Sequence, residues 1–212
     1  RYEIIQILDL GEFEVYANRD SLTYQEDYGL DDISTMFRGT IRRKGFCDAW
    51  NALVQLGATD DSYMVEFPGN MTYRDFTNTF LAYNVVDPVE TKLSKYLNLD
   101  PNGEIMNKLE WLGLFEKRTA SVQDQTPARV LQALLEEKLK LESGDKDMIV
   151  MQHQFEYLLN DRRHRIVSSM AVTGDDSVHT AMSKTVGLPV AIATKNILQD
   201  KIHLKGVRIP IH

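Results

Sequence analysis

The amino-acid sequence predicts an α/β (α+β) fold: a mixed β-sheet flanked by helices, with an all-helical subdomain inserted into it and no Rossmann domain in the chain. Three observations carry that reading. Apolar and polar residues alternate near both ends of the 212-residue chain, as they do in strands with one buried face. Between residues 58 and 146 the apolar spacing changes to three and four, which is helical. The stretch from Thr180 to Leu198 combines apolar residues with the small residues Ala181, Ser183, Gly187, Ala191 and Ala193, a helix able to lie close against a sheet. The expected domains are therefore 1–57 with 147–212 as one discontinuous α/β domain, and 58–146 as the helical insertion.

In chain order, Tyr2–Leu8 and Phe13–Tyr16 read as two strands joined at Leu10, Gly11 and Glu12. The abrupt opening in a strand is read as a sign that sequence upstream has been left off. Asn18, Asp20 and Ser21 are turn residues, and Thr23 with Glu26 three places on fits a capping box opening a short helix at about Tyr24–Tyr28. Ser34–Arg42 returns to strand chemistry, and Gly39 inside it marks a bulge or a close approach to the backbone. A helix over Phe46–Leu56 ends at Gly57. Four helical segments follow, separated by Pro68-Gly69, Asp87-Pro88, Pro101-Asn102-Gly103 and Thr126-Pro127. Ile149, Met151, Phe155 and Tyr157 face one side of the next strand and Gln152, Gln154 and Glu156 the other. A turn at Asn160–Arg163 returns the chain as a second strand through Val172, which makes a hairpin. The long helix is expected across the hairpin's apolar face, kinked or split at Gly187 and Pro189. Gly206–Ile211 reads as a last short strand.

At 43% hydrophobic and 26% charged, the composition is that of an ordinary globular protein. No apolar run reaches the roughly 20 residues a bilayer crossing needs, and no stretch resembles a signal peptide. Neither a membrane partner nor a metal is expected, and the cytoplasm is the expected compartment. The net charge of −7 argues against nucleic acid, which calls for a basic face. Residues 58–146 hold −5 of it, so an anionic ligand belongs with the remainder. The single Cys47 lies on an apolar stripe with Phe46, Trp50, Leu53 and Val54, which predicts a buried thiol rather than a nucleophile.

No G-x-G-x-x-G follows a strand, there is no Walker A or G-x-S-x-G sequence, and the five histidines lack metal-ligand spacing. The chain therefore offers no nucleotide site and no catalytic engine. Three places remain. Asn18, Arg19 and Asp20 can hold a zwitterion, the guanidinium taking a carboxylate and the other two taking ammonium protons; read structurally, they are an Asx turn with a solvated arginine. Arg38 and Thr40 flank the exposed backbone of Gly39, although an edge-strand arginine also serves to prevent aggregation. Lys184 sits among small residues, where a snorkelling lysine is equally in character.

The motifs YANRDSLTY, STMFRGTIRRKGF, EWLGLF, KDMIVM and TAMSKTVGLPVAIATK, in that order, resemble the C-terminal part of the saccharopine dehydrogenases of the L-glutamate-forming type, or saccharopine reductases. The resemblance is weakest over 59–101 and 116–145. It implies a Rossmann domain N-terminal to this chain that binds NAD or NADP, a second domain that binds saccharopine and makes a homodimer, and a helical insertion. It also implies oxidation of saccharopine to an imine that water splits into glutamate and aminoadipate semialdehyde, in lysine metabolism. Asn18, Arg19 and Asp20 carry over as saccharopine-binding residues; no catalytic residue carries over, and the isolated chain is expected to be inactive. Ala17, Arg43 and Val172-Thr173 depart from the family's usual residues. Two other readings stand beside this one: a self-contained, non-catalytic binding or dimerisation module, and a relative of carboxynorspermidine dehydrogenase.

Overall fold

The structure, a computed structural model, describes residues 1–18, 20–66, 69–120 and 125–209. Its contacts divide the chain into two units, Arg1–Ile41 with Leu141–His212, and Arg42–Lys140.

In the first unit β1 (Glu3–Gln6) and β2 (Glu12–Ala17) pair antiparallel from Glu3–Val15 to Gln6–Glu12. A single 3-10 turn at Leu8–Leu10 and Gly11 (φ 91°) connect them. β2 buries Phe13, Glu14 and Val15 in succession. One-turn α1 (Tyr24–Asp27) leads towards β3 (Gly39–Arg43), which completes a sheet of order β1-β2-β3. β3 starts five residues later than Ser34, because the N–H of Arg38 bonds the Ser21 hydroxyl instead of a strand ladder. Gly39 is the close approach that its place in a strand implied: a Cβ there would stand 2.3 Å from Val15 Cγ2.

β4 (Met148–Leu159) and β5 (Arg162–Thr173) form a separate two-stranded antiparallel sheet, registered from Met148–Thr173 to Leu159–Arg162. The strands of the α/β unit are thus shared between two small sheets. The turn is Asn160-Asp161, both at positive φ (51° and 59°), the backbone that the twist of a two-residue hairpin favours and that Asn and Asp tolerate. α7 (Ala181–Leu198) is anchored at the foot of this hairpin. The Asp147 carboxylate accepts the N–H groups of Ala181 and Met182 at 2.6 and 2.9 Å, and its main-chain carbonyl accepts that of Gly174. Ala181 is fully buried there.

Two expectations fail in this unit and a third fails in one of its two forms. α7 does not cover the hairpin's apolar face: Val190 is 64% exposed, Leu198 82% and Phe155 55%. The helix is held through its first turns, and the apolar faces of both elements stay open. Of the kink or split expected at Gly187 and Pro189, the split does not occur: α7 runs as one helix through both. Among the described residues, 206–209 form no strand, and Val207 is wholly exposed; Pro210 and Ile211 lie outside the described residues.

In the second unit α2 (Phe46–Leu56), α3 (Tyr73–Thr79), α4 (Val89–Tyr96), α5 (Glu104–Leu112) and α6 (Pro127–Lys138) surround one core that includes Phe76, Leu93, Leu109, Val130 and Leu134. Thr72 and Asp75 make a reciprocal capping box on α3, and Thr126 caps α6 with Pro127 in its first turn. The Arg74 guanidinium grips Glu90 with both terminal nitrogens, which raises the arginine's pKa and lowers the carboxyl's. α2, set with the sheet domain by the sequence reading, buries Ala52, Leu53 and Leu56 in this core. That rotation leaves Trp50 and Val54 exposed and Cys47 only half-buried, so the thiol is less enclosed than its stripe suggested. Among the described residues no helix is long and apolar enough to cross a membrane.

Two glycine substitutions test this packing in opposite directions. Gly39→Ala should destabilise the sheet unit by about 1–3 kcal/mol, the usual cost of forcing atoms into a filled space. Gly187→Ala meets nothing within 4 Å and should stabilise by about 0.5–1 kcal/mol, the helix-propensity difference. Urea unfolding of both variants checks the signs; a neutral Gly39→Ala contradicts the close approach.

Candidate functional site

β2 delivers Asn18 to the edge of its sheet, and the chain then turns back beside the start of β3. The turn is made by Asp20, whose carboxylate accepts the N–H of Leu22 at 2.8 Å. Thr23 makes no side-chain cap, its backbone being already helical (φ −58°, ψ −19°). The expected Thr23–Glu26 capping box is therefore not formed, and the Asx turn at Asp20 opens α1 in its place.

This loop holds Arg38 from two sides. The N–H of Asn18 donates to the Arg38 carbonyl at 2.9 Å, and the N–H of Arg38 donates to Ser21 Oγ at 3.0 Å. The guanidinium carbon of Arg38 sits 4.3 Å from the centre of the Tyr24 ring, over its face. Among the described residues no carboxylate pairs with it. Two residues on, Thr40 is half-buried on β3. Four of the five expected site residues, Asn18, Asp20, Arg38 and Thr40, thus share one corner; Arg19 lies outside the described residues. Ser21 and Tyr24 are the additions. Ser21 reads as a turn residue in the sequence, and the 13 positions between Tyr24 and Arg38 carry no periodic signal that would pair them.

Lys184 is not part of this corner. Its ammonium pairs with Asp175 at 2.8 Å, in the loop that feeds α7. In the same loop Asp176 accepts the N–H groups of Val178 and His179 at 2.8 and 2.6 Å and faces His179 Nδ1 at 3.0 Å. Those bonds hold the Asp176 carboxyl far below the usual carboxylate range and push the His179 imidazole up. A cleft in the helical unit, lined by Asp48, Asn51, Gln55, Leu97, Leu99 and Ile105, presents no cation to an anionic ligand. Among the described residues no group of His, Cys, Asp or Glu gathers to hold a metal ion.

The corner can therefore receive a carboxylate beside polar groups that accept ammonium protons. The model of the saccharopine dehydrogenase C-terminal domain family matches residues 1–212. The chain belongs to that family. It is 30% identical over 207 residues to the NADP(+)-dependent, L-glutamate-forming saccharopine dehydrogenase of Schizosaccharomyces pombe, across 93% of this chain and 46% of that one. It is 32% identical over 203 residues to the mitochondrial alpha-aminoadipic semialdehyde synthase of Bos taurus, across 93% of this chain and 22% of that one. The solved apo saccharopine dehydrogenase (L-Glu forming) of Saccharomyces cerevisiae superposes with a TM-score of 0.84 at 27% identity, over 97% of this chain and 47% of that one. This saccharopine dehydrogenase C-terminal domain spans just under half the length of the yeast relatives it matches.

A nicotinamide dinucleotide does not fit the described residues of the domain. The β2-to-α1 turn has Asn18, Asp20 and Ser21 where a pyrophosphate cradle needs glycines, and it opens a one-turn helix. At the entrance to α2 the single Gly45 is closed off by Lys108 Nζ and Glu104, 2.2 and 2.8 Å from where a Cβ would be.

The His179–Asp176 pair has a measurable consequence. An imidazole raised by its carboxylate keeps the pair charged below the raised value and loses it as pH climbs through that value. Proton NMR of His179 should give a midpoint above the ordinary 6.5, and Asp176→Asn should return it towards that value; an unchanged midpoint contradicts the pairing.

Proposed function

We propose that this chain is the substrate-binding and dimerisation portion of an NAD(P)-dependent saccharopine dehydrogenase of lysine metabolism. In this reading 1–57 with 147–212 bind saccharopine and make the homodimer, and 58–146 is an inserted helical subdomain. One observation supports it: main-chain bonds tie Asn18 and Ser21 to Arg38, so a residue type that seeks carboxylates starts from beside that polar turn. Saccharopine has three carboxylates and two nitrogens that carry protons, so two cations, Arg19 and Arg38, with Asn18, Asp20 and Thr40 around them, suit one amino-acid end of it.

The dinucleotide, and with it hydride transfer, belongs to sequence outside this chain, and the chain by itself has no turnover. The Schizosaccharomyces pombe relative is named for NADP(+). The chain's part in the reaction is to hold the ligand so that its C–N bond is presented to the nicotinamide, the positional contribution on which such a step depends. The dimer uses the uncovered apolar faces of the hairpin and α7, where Phe155, Val190 and Ile192 are exposed. The expected compartment is the cytoplasm, and the bovine relative is named mitochondrial.

In the full-length enzyme, Arg19→Ala should weaken saccharopine binding about tenfold or more, the loss of one charge-assisted pair, and leave cofactor binding within about twofold. Equal losses for both ligands, measured by calorimetry, reject a substrate role. Light scattering of the isolated chain should report a dimer; a monomer at high concentration rejects the dimerisation role.

A further inference from the structure

We propose that Ser21 and Tyr24 are positioning residues that present the Arg38 guanidinium edge-on to a ligand carboxylate, and that they make this corner select a carboxylate over its neutral amide. The inference rests on the reading of the corner as the saccharopine site and goes beyond it by assigning two residues outside that ligand set.

The geometry supplies the argument. Arg38 is fixed at both of its main-chain polar groups, by Ser21 Oγ on its N–H and by the Asn18 N–H on its carbonyl. The next residue, Gly39, is packed so tightly on Val15 that no Cβ fits. The main chain of Arg38 therefore has little freedom, and the direction of its side chain is settled by what lies beside it. That neighbour is Tyr24, whose ring lies under the guanidinium at 4.3 Å. A guanidinium resting on a ring engages it with its face and keeps its in-plane N–H donors for a planar partner. No carboxylate among the described residues takes those donors, and the group stays exposed. An arginine so held meets an incoming carboxylate with less rotamer entropy left to lose. A neutral amide offers one acceptor and no charge to the same fork, so the gain falls mainly on the carboxylate.

The test uses the full-length enzyme with saccharopine and with analogues in which one carboxylate at a time is replaced by its amide. Tyr24→Ala should raise KM for saccharopine about fivefold, the scale of a cation–π contact, with kcat and the cofactor Kd within about twofold. Tyr24→Phe keeps the ring and should stay at wild type. Ser21→Ala should raise KM similarly, and Ser21→Thr should restore it. Arg38→Ala should raise KM about 30-fold, as the loss of a charge-assisted pair does, and should abolish the discrimination against one of the amides. Adding Tyr24→Ala to Arg38→Ala should cost nothing more. If Arg38→Ala leaves KM unchanged, the carboxylate role of Arg38 is itself wrong. If Arg38→Ala acts as expected while Tyr24→Ala is silent or adds its full effect on top, Arg38 binds without Tyr24 and the positioning role is overturned. A variant of Tyr24 or Ser21 that shifts kcat and cofactor Kd along with KM shows a structural role and overturns it as well.

Discussion

The hydrogen bonds that Asn18 and Ser21 make to the main chain of Arg38, with the fit of Gly39 against Val15, are the constraint on which the rest of the site depends. They join the end of β2 to the start of β3 across the 21 residues between the two strands. A polar turn of this kind would otherwise sample many conformations, and ordering each residue costs on the order of 1 kcal/mol or more. Backbone bonds at both ends of the loop, an Asx turn inside it and a glycine that lets the strands close up are what hold it in place. With the loop held, the main chains of Asn18 and Ser21 stay beside that of Arg38 at the start of β3.

Elsewhere in the same unit a single carboxylate does comparable work. Asp147 takes two of the unsatisfied N–H groups at the start of α7 and, through its carbonyl, one from Gly174. Helix N-termini favour negative charge because those donors point outward, so this contact fixes the helix to the hairpin at one end. The remainder of α7 and much of the hairpin face stay apolar and uncovered. Large exposed apolar faces are characteristic of interaction surfaces.

The fold was legible wherever a local rule decided it. Helices α3 to α6 follow from proline, glycine and threonine punctuation with regular apolar spacing, and the hairpin from alternation around Asn160-Asp161. Gly39 within a strand pointed to a bulge or a close approach, and the structure shows the close approach. What failed were relations between elements. Apolar alternation in β4 showed that one face seeks cover, yet nothing in it says that α7 must supply the cover. The Thr23–Glu26 box was a correct pattern in the wrong place, outcompeted by Asp20 three residues earlier, while the real box formed at Thr72 and Asp75. For α2, periodicity showed an apolar stripe but not which helices would bury it. At the candidate site, Asn18, Asp20, Arg38 and Thr40 stood out in the sequence by residue type, whereas the contacts of Ser21 and Tyr24 with Arg38 run through space and show in no residue spacing.

The central claim is that one edge, built from the turn after β2 and the beginning of β3, receives an amino-acid end of a polycarboxylate. A crystal structure of the full-length protein with saccharopine tests it most directly. The account predicts a ligand carboxylate at hydrogen-bond distance, about 2.7–3.2 Å, from the Arg38 guanidinium, with the Asn18–Asp20 loop around the same end of the molecule. Saccharopine bound elsewhere, with Arg38 left facing solvent on the Tyr24 ring, would contradict it.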